Sequence, residues 1–396
     1  MRTTAQILRD YRGPALFSFG FRPFFLLASI WAALAMPLWI LPMLGVGDGL
    51  GIVLTRDWHV HEMLFGYTGA VIVGYMTIAG ANWTGHYPVA GRPIVLLVAL
   101  WIAGRAAMLA YRALGPMAAF IDAAFLIVFA LALWREQVAA SNWRSLAPCI
   151  VITLLAIANV CFHARMIAPE LGAVSERMTV GLITFLIALM GGRLVPSFTR
   201  NWMAQRKIKP DPAPYGRFDQ AALGVAAVGL ASWVLQPFAP LSGALLIAAG
   251  AGLLVRLLRW RGWIAVRDGM VFILHLAYFW CAIGLALLGA SILLPADVPE
   301  TAAIHALTTG AIGVMTLAVM TRTSCSHTGR ERRADAATLV IYALANAAAM
   351  IRVLAPFAIA IHLELLALST ACWSLAFGLF ALAYGPMLIG PWRRQT

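Results

Sequence analysis

Charge is what this sequence has least of. Only 11% of its 396 residues are charged, against about 25% in ordinary soluble domains. Acidic residues number 16 against 29 basic ones. A surface that poor in charge does not suit a soluble globular protein. Cysteine is scarce as well. Cys149, Cys161, Cys281, Cys325 and Cys372 are scattered and form no CxxC pair, which excludes a disulfide framework and a cysteine-built zinc site. Four of the five lie in apolar runs and read as small packing residues. The opening stretch "MRTTAQILRDYRGPALFSFGFRP" is basic and has no compact apolar core, so no cleavable signal peptide is expected.

What the chain has in abundance is apolar length. Hydrophobic residues make up 62% of it, and its mean hydropathy is +0.85. Runs long enough to cross a bilayer as helices recur about twelve times. They lie near residues 23–44, 58–81, 93–113, 116–134, 146–167, 177–196, 218–237, 242–260, 268–294, 302–321, 335–357 and 359–390. The expected fold is all-α: a polytopic membrane protein forming one integral domain over residues 1–396. Its first partner is the lipid bilayer.

The formal net charge of +13 does not point to nucleic acid, because the basic residues fall in the connections between apolar runs. They crowd the N-terminus (Arg2, Arg9, Arg12, Arg22) and the connection after the sixth run (Arg200, Arg206, Lys207, Lys209, Arg217). They recur after the eighth run (Arg259, Arg261, Arg267), after the tenth (Arg322, Arg330, Arg332, Arg333) and at the C-terminus (Arg393, Arg394). These are alternate connections. The positive-inside rule puts them, and both termini, in the cytoplasm.

The second and tenth runs share a pattern. An offset of 244 residues lays "HEMLFGYTGAVIVGYMTIAGANWTGH", from His61, over "HALTTGAIGVMTLAVMTRTSCSHTGR", from His305. His61 then meets His305, Gly66 meets Gly310, and Gly69 meets Gly313. A fainter third copy starts at Glu176, without a histidine. Copies four helices apart imply a pseudo-threefold repeat of four-helix units. His61 and His305 would begin equivalent spans at one depth, as the two axial ligands of a haem should. Gly66, Gly69, Gly310 and Gly313 would leave room for a flat macrocycle.

His59 and His61 point to opposite sides of a regular helix, so one haem cannot use both. His59 and Glu62, three apart, share a face. They suit either a second metal site or a carboxylate that orients an imidazole. Other polar groups gather at similar depth: Arg105 in the third run, Asp122 in the fourth, Asn159 and His163 in the fifth, and Arg352 near the outer end of the eleventh. A guanidinium inside a membrane needs an anion. Haem propionates would serve Arg105 and Arg352, and Asp122 would serve Arg105 equally. Tryptophans are expected at the membrane edges. His86 and His327 fall in cytoplasmic connections, and His275 lies inside the ninth run.

The motifs "FSFGFRPFF", "HVHEMLFGY", "NWTG", "GRPIVLLVALWIAGR" and "HALTTGAIGVMTLAVMTRTSCSHTGR" together resemble the NnrS family of bacterial membrane proteins, from about Phe17 to Arg352. The resemblance implies an inner-membrane protein that carries haem and copper and acts in nitric oxide metabolism or resistance to nitrosative stress. It implies nitric oxide as the small-molecule ligand. It makes His59, His61, His305 and His327 the motif histidines, with Glu62 and Arg105 beside them. It names no electron donor and does not say whether a reaction is catalysed.

Haem-copper oxidases are more distantly similar in span count and in haem ligands on the second and tenth spans. The chain lacks their adjacent histidine pair and their His-x-x-x-Tyr in the sixth span, which argues against dioxygen reduction. Internal repeats and intramembrane charges also suit a secondary transporter or a non-catalytic metal- or haem-handling protein.

Overall fold

Apolar runs of this length can satisfy their backbone inside a bilayer only as helices, and the structure is helical throughout. It is a computed structural model describing residues 11–46, 54–84, 90–140, 146–209 and 211–392, without the side chains of 79–84 and 140. His86, Gly85 of the "NWTG" motif, and the terminal arginines Arg2, Arg9, Arg393 and Arg394 lie outside the described residues. No strand occurs among the described residues.

Among the described residues, eleven helices are long and apolar enough to cross a membrane. They are α1 (Phe21–Leu44), α3 (Arg92–Leu109), α4 (Met117–Ala140), α5 (Ala147–His163), α6 (Pro169–Gln205) and α7 (Arg217–Leu235). After them come α8 (Pro240–Arg259), α9 (Gly269–Leu293), α10 (Glu300–His327), α11 (Ala336–Leu354) and α12 (His362–Ile389). The remaining expected span is α2, which runs without a break through Arg56–His61, Glu62–Thr68 and Gly69–Thr84. At ~1.5 Å per residue it is roughly 43 Å long.

Local sequence sets where the helices start and stop. The side chain of Thr55 caps α2 by accepting from the Trp58 amide, Asp268 caps α9 through the Val271 amide, and Asp335 caps α11 through the Thr338 amide. The Asp335 carboxyl lies outside the spans. The hydroxyl and amide of Thr338 hold it below its ordinary value. Gly45 and Gly329, at φ 72° and 74°, turn the chain where α1 and α10 end, a backbone that a side chain would strain.

Three helices depart from regular α geometry in the same way. Each carries a π segment: Glu62–Thr68 in α2, Ile187–Gly191 in α6 and Ala306–Gly313 in α10. These are every fourth helix. The first and third follow His61 and His305 directly, at the 244-residue offset. The α6 segment lies further along its helix than the alignment at Glu176 would place it. A π turn leaves backbone groups off the regular ladder, and side chains from neighbouring helices meet two of these carbonyls. Trp101 Nε1 donates to the Gly66 carbonyl at 2.9 Å, and Arg256 Nη1 donates to that of Ala188 at 3.2 Å.

The chain packs as two units. The first comprises Met1–Glu176, Thr323–Arg330 and Phe377–Thr396. Within it α1 lies along α2, α3 along α4, and α4 along α5. Arg22, at the start of α1, donates to the carbonyls of Leu388 and Gly390 at 3.0 and 2.6 Å and so closes the end of α12. The second unit comprises Arg177–Arg322 and Glu331–Ala376. Its centre is α9, apolar all round and packed against α8, α10 and α6. The backbone of α9 at Gly289 approaches that of α8 at Gly243 so closely that a Cβ on Gly289 would strike the Gly243 carbonyl, the close crossing that small residues permit between membrane helices.

Candidate metal centre

The first unit gathers its intramembrane polar groups at one point. Helix α2 delivers His61 and Glu62 at the junction with its π segment, α3 delivers Arg105, α4 Asp122, and α5 Asn159 and His163. The last two sit four apart on one face of α5. His61 is at the centre, with 0% of its surface exposed. Its Nδ1 lies 2.9 Å from Glu62 Oε1. Its Nε2 lies 3.0 Å from Asp122 Oδ2 and 3.2 Å from Asn159 Oδ1. His163 Nε2 reaches the same Asp122 oxygen at 2.9 Å, and Asn159 Nδ2 donates to it at 2.9 Å.

Arg105 ties the two carboxylates together. Its Nη1 donates to Glu62 Oε2 at 2.5 Å, and its Nη2 donates to Asp122 Oδ1. Trp31 Nε1 adds a donor to Glu62 Oε2 at 2.7 Å. One guanidinium against two carboxylates leaves one negative charge to be balanced. A second cation meets that need, either as the imidazolium of His61, which can donate to a carboxylate from each nitrogen, or as a metal ion. Buried charges are tolerated only when closed in this way.

The donor set suits a metal. One ligand atom from each of His61, Asp122 and His163 can be chosen so that all three lie within 4.8 Å of one another. Two imidazole nitrogens and a carboxylate oxygen are ligands for zinc, copper or iron. Glu62, on the other nitrogen of His61, stands where a carboxylate orients a metal-bound imidazole.

Aromatic rings enclose the group. Phe65 and Phe162 pack on His61 with ring centroids 5.4 and 5.3 Å away. Above Phe162 lies the Arg165 guanidinium, 3.9 Å from the ring centroid. Arg165 is held by Asp57 and Glu176 at 2.6 and 2.5 Å, and Arg56 reaches Glu176 at 2.7 Å. The exposed Arg56 and Asp57 add little stability individually, but with the half-buried Arg165 and Glu176 they form a roof over the cluster. His163, whose side chain is 10% exposed, reaches nearest to its edge.

The other expected site residues lie elsewhere. His59 faces away from His61, as the helical angle requires, and stacks on Trp39 with ring centroids 4.1 Å apart. Glu62 therefore orients His61 rather than His59. His327 packs against Phe19 and Phe21 in the first unit. His305 belongs to the second unit, where its Nδ1–H donates to the Thr301 carbonyl at 2.7 Å. Arg352 lies in the last turn of α11.

The four glycines expected to flank a macrocycle lie next to side chains. A Cβ on Gly66 would meet Arg105 and Glu62, one on Gly310 the Trp280 indole, one on Gly313 the Trp373 indole, and one on Gly69 Leu126. The sequence marks Asn159 and His163 only as polar groups of similar depth, and Asp122 also as a partner for Arg105. The signal for more was the four-residue spacing of Asn159 and His163.

The family model described as NnrS protein matches residues 15–392, nearly the whole chain. No curated protein matches it.

Proposed function

Because the chain belongs to the NnrS protein family, we propose that it is a multi-pass protein of the bacterial inner membrane that acts in the nitric oxide response through a metal ion held by His61, Asp122 and His163. Both termini are cytoplasmic in this reading, which puts the cluster near the periplasmic ends of α2, α4 and α5. The observation that carries it is the convergence of two imidazole nitrogens and Asp122 Oδ2 in a buried site where two carboxylates face one guanidinium.

Copper, the metal implied by the family resemblance, would supply a redox-active centre able to bind nitric oxide and pass single electrons. The protein's own groups prepare the place. Glu62 fixes the His61 ring through Nδ1, and Arg105 holds Glu62 and Asp122 apart at a set spacing. Asn159 holds Asp122 Oδ2 toward both imidazoles. Phe65, Phe162 and the Arg165 roof keep water out. Nitric oxide is small and apolar, so it can arrive through the lipid.

A haem shared by His61 and His305 fits these side chains poorly. Both His61 nitrogens lie against carboxylates, and Gly66 abuts the Arg105 guanidinium. Arg105, expected as a partner for a propionate, already holds two carboxylates. Haem is therefore assigned no residue of this cluster.

Metal and pyridine-haemochrome analysis of protein purified in mild detergent tests the proposal. Wild-type protein is expected to retain a stoichiometric metal ion, and His61→Ala and His163→Ala are each expected to lose it. Wild-type metal content in both variants would reject the site. A folded wild-type protein free of metal and haem would favour the transporter alternative.

A further inference from the structure

Two arginines are buried inside the helices of the second unit, and their surroundings differ. Arg256 has a counter-charge: Asp219 Oδ1 lies 2.9 Å from its Nε, and Nη1 donates to Tyr278 Oη at 2.7 Å and to the Ala188 carbonyl. Arg352 has no such company. It is 9% exposed, and its Nη1 is enclosed without a hydrogen-bond partner. Among the described residues no carboxylate lies against it. A buried guanidinium without a counter-charge is costly in a membrane protein and marks a place that an anion completes.

The setting says what kind of anion. Arg352 lies on the buried face of α11 with Ala345, Ala348 and Ala349. It is in the last turn, at the end remote from the basic Arg330–Arg333 connection, which is headgroup depth for a membrane helix. The chain then makes two short turns, Ala355–Phe357 and Ile359–Ile361. These present apolar side chains outward: Phe357 is 50% exposed and Ile359 86%. A guanidinium at the water-facing end of a span, next to exposed apolar residues, matches an amphiphile with an acidic head and a hydrocarbon body. Guanidinium and phosphate pair through two parallel hydrogen bonds.

We propose that Arg352 is the anchor of a lipid site in the second unit that takes the phosphodiester head of an anionic phospholipid. The site is independent of the metal cluster and stands or falls separately from it.

The test is native mass spectrometry of the full chain released from micelles doped with phosphatidylglycerol or phosphatidylcholine, with inorganic phosphate as a third arm. The wild type should keep a phosphatidylglycerol adduct. Arg352→Met should hold it about tenfold more weakly, Arg352→Lys should fall between, and Arg267→Gln, at the opposite membrane face, should match the wild type. If Arg352→Met folds poorly, the wild type alone still decides: preference for phosphatidylglycerol over phosphatidylcholine supports the site. Equal retention of the two lipids, an unchanged adduct in Arg352→Met, or competition by millimolar inorganic phosphate would each overturn it.

Discussion

Arg105→Ala will destabilise the protein by about 3–5 kcal/mol, the usual consequence of removing one partner from a buried ionic group, and will empty the metal site. The guanidinium is the common donor to Glu62 and Asp122, both almost wholly buried. Without it two carboxylates face each other with only the imidazoles to balance them. Arg105→Lys should recover only part of the loss, because a single ammonium cannot span two carboxylates as Nη1 and Nη2 do. Thermal unfolding in detergent reads the stability, and metal content of the folded fraction reads the site. An Arg105→Ala protein that melts with the wild type would show that the charges do not depend on one another as the distances imply.

The second large effect is expected at Arg256→Met. Here the orphan would be Asp219, 3% exposed, with only Arg259 at 3.9 Å to replace its partner. About 3–5 kcal/mol is again expected. The double variant Arg256→Met/Asp219→Leu should regain most of that, since replacing a whole buried pair by apolar groups is often close to neutral. The cycle separates the pair from mere packing loss: recovery points to uncompensated charge, and additive losses would refute the electrostatic account. Tyr278 should keep its contact with the Ala188 carbonyl, 3.3 Å away, in both variants.

Much of this architecture was legible in the chain because apolar length is a local property. Twelve runs foretold the helices in order. Their ends were less legible. The run at 177–196 is only the middle of α6, which extends from Pro169 to Gln205, because hydropathy marks the lipid-facing stretch and not where the hydrogen-bonded helix stops. The repeat centred on His61 and His305 anticipated matching backbone in α2 and α10, but not that it would be π geometry, which depends on what packs beside it.

Tryptophan also packs the interior. Trp58, Trp101, Trp233 and Trp260 are buried, and Trp101 donates to a π-segment carbonyl. The cluster itself was half visible. His61, Glu62 and Arg105 stood out as costly groups, and an Arg105–Asp122 pair was among the expectations. That His61 and His163 would converge on one oxygen of Asp122 follows from how three helices cross, and no spacing within one helix contains that. An added Cβ would meet the Arg105 guanidinium at Gly66 and the Trp280 and Trp373 indoles at Gly310 and Gly313, contacts that span distant parts of the sequence.

The central claim is that His61, His163 and Asp122 hold one metal ion between them. X-ray absorption fine structure at the metal edge of the purified protein examines this directly. The account predicts a first shell of nitrogen and oxygen at about 2.0–2.2 Å, with the outer-shell scattering of two imidazoles. A shell dominated by sulfur near 2.3 Å, or the rigid four-nitrogen pattern of a porphyrin as the only metal signal, would contradict it.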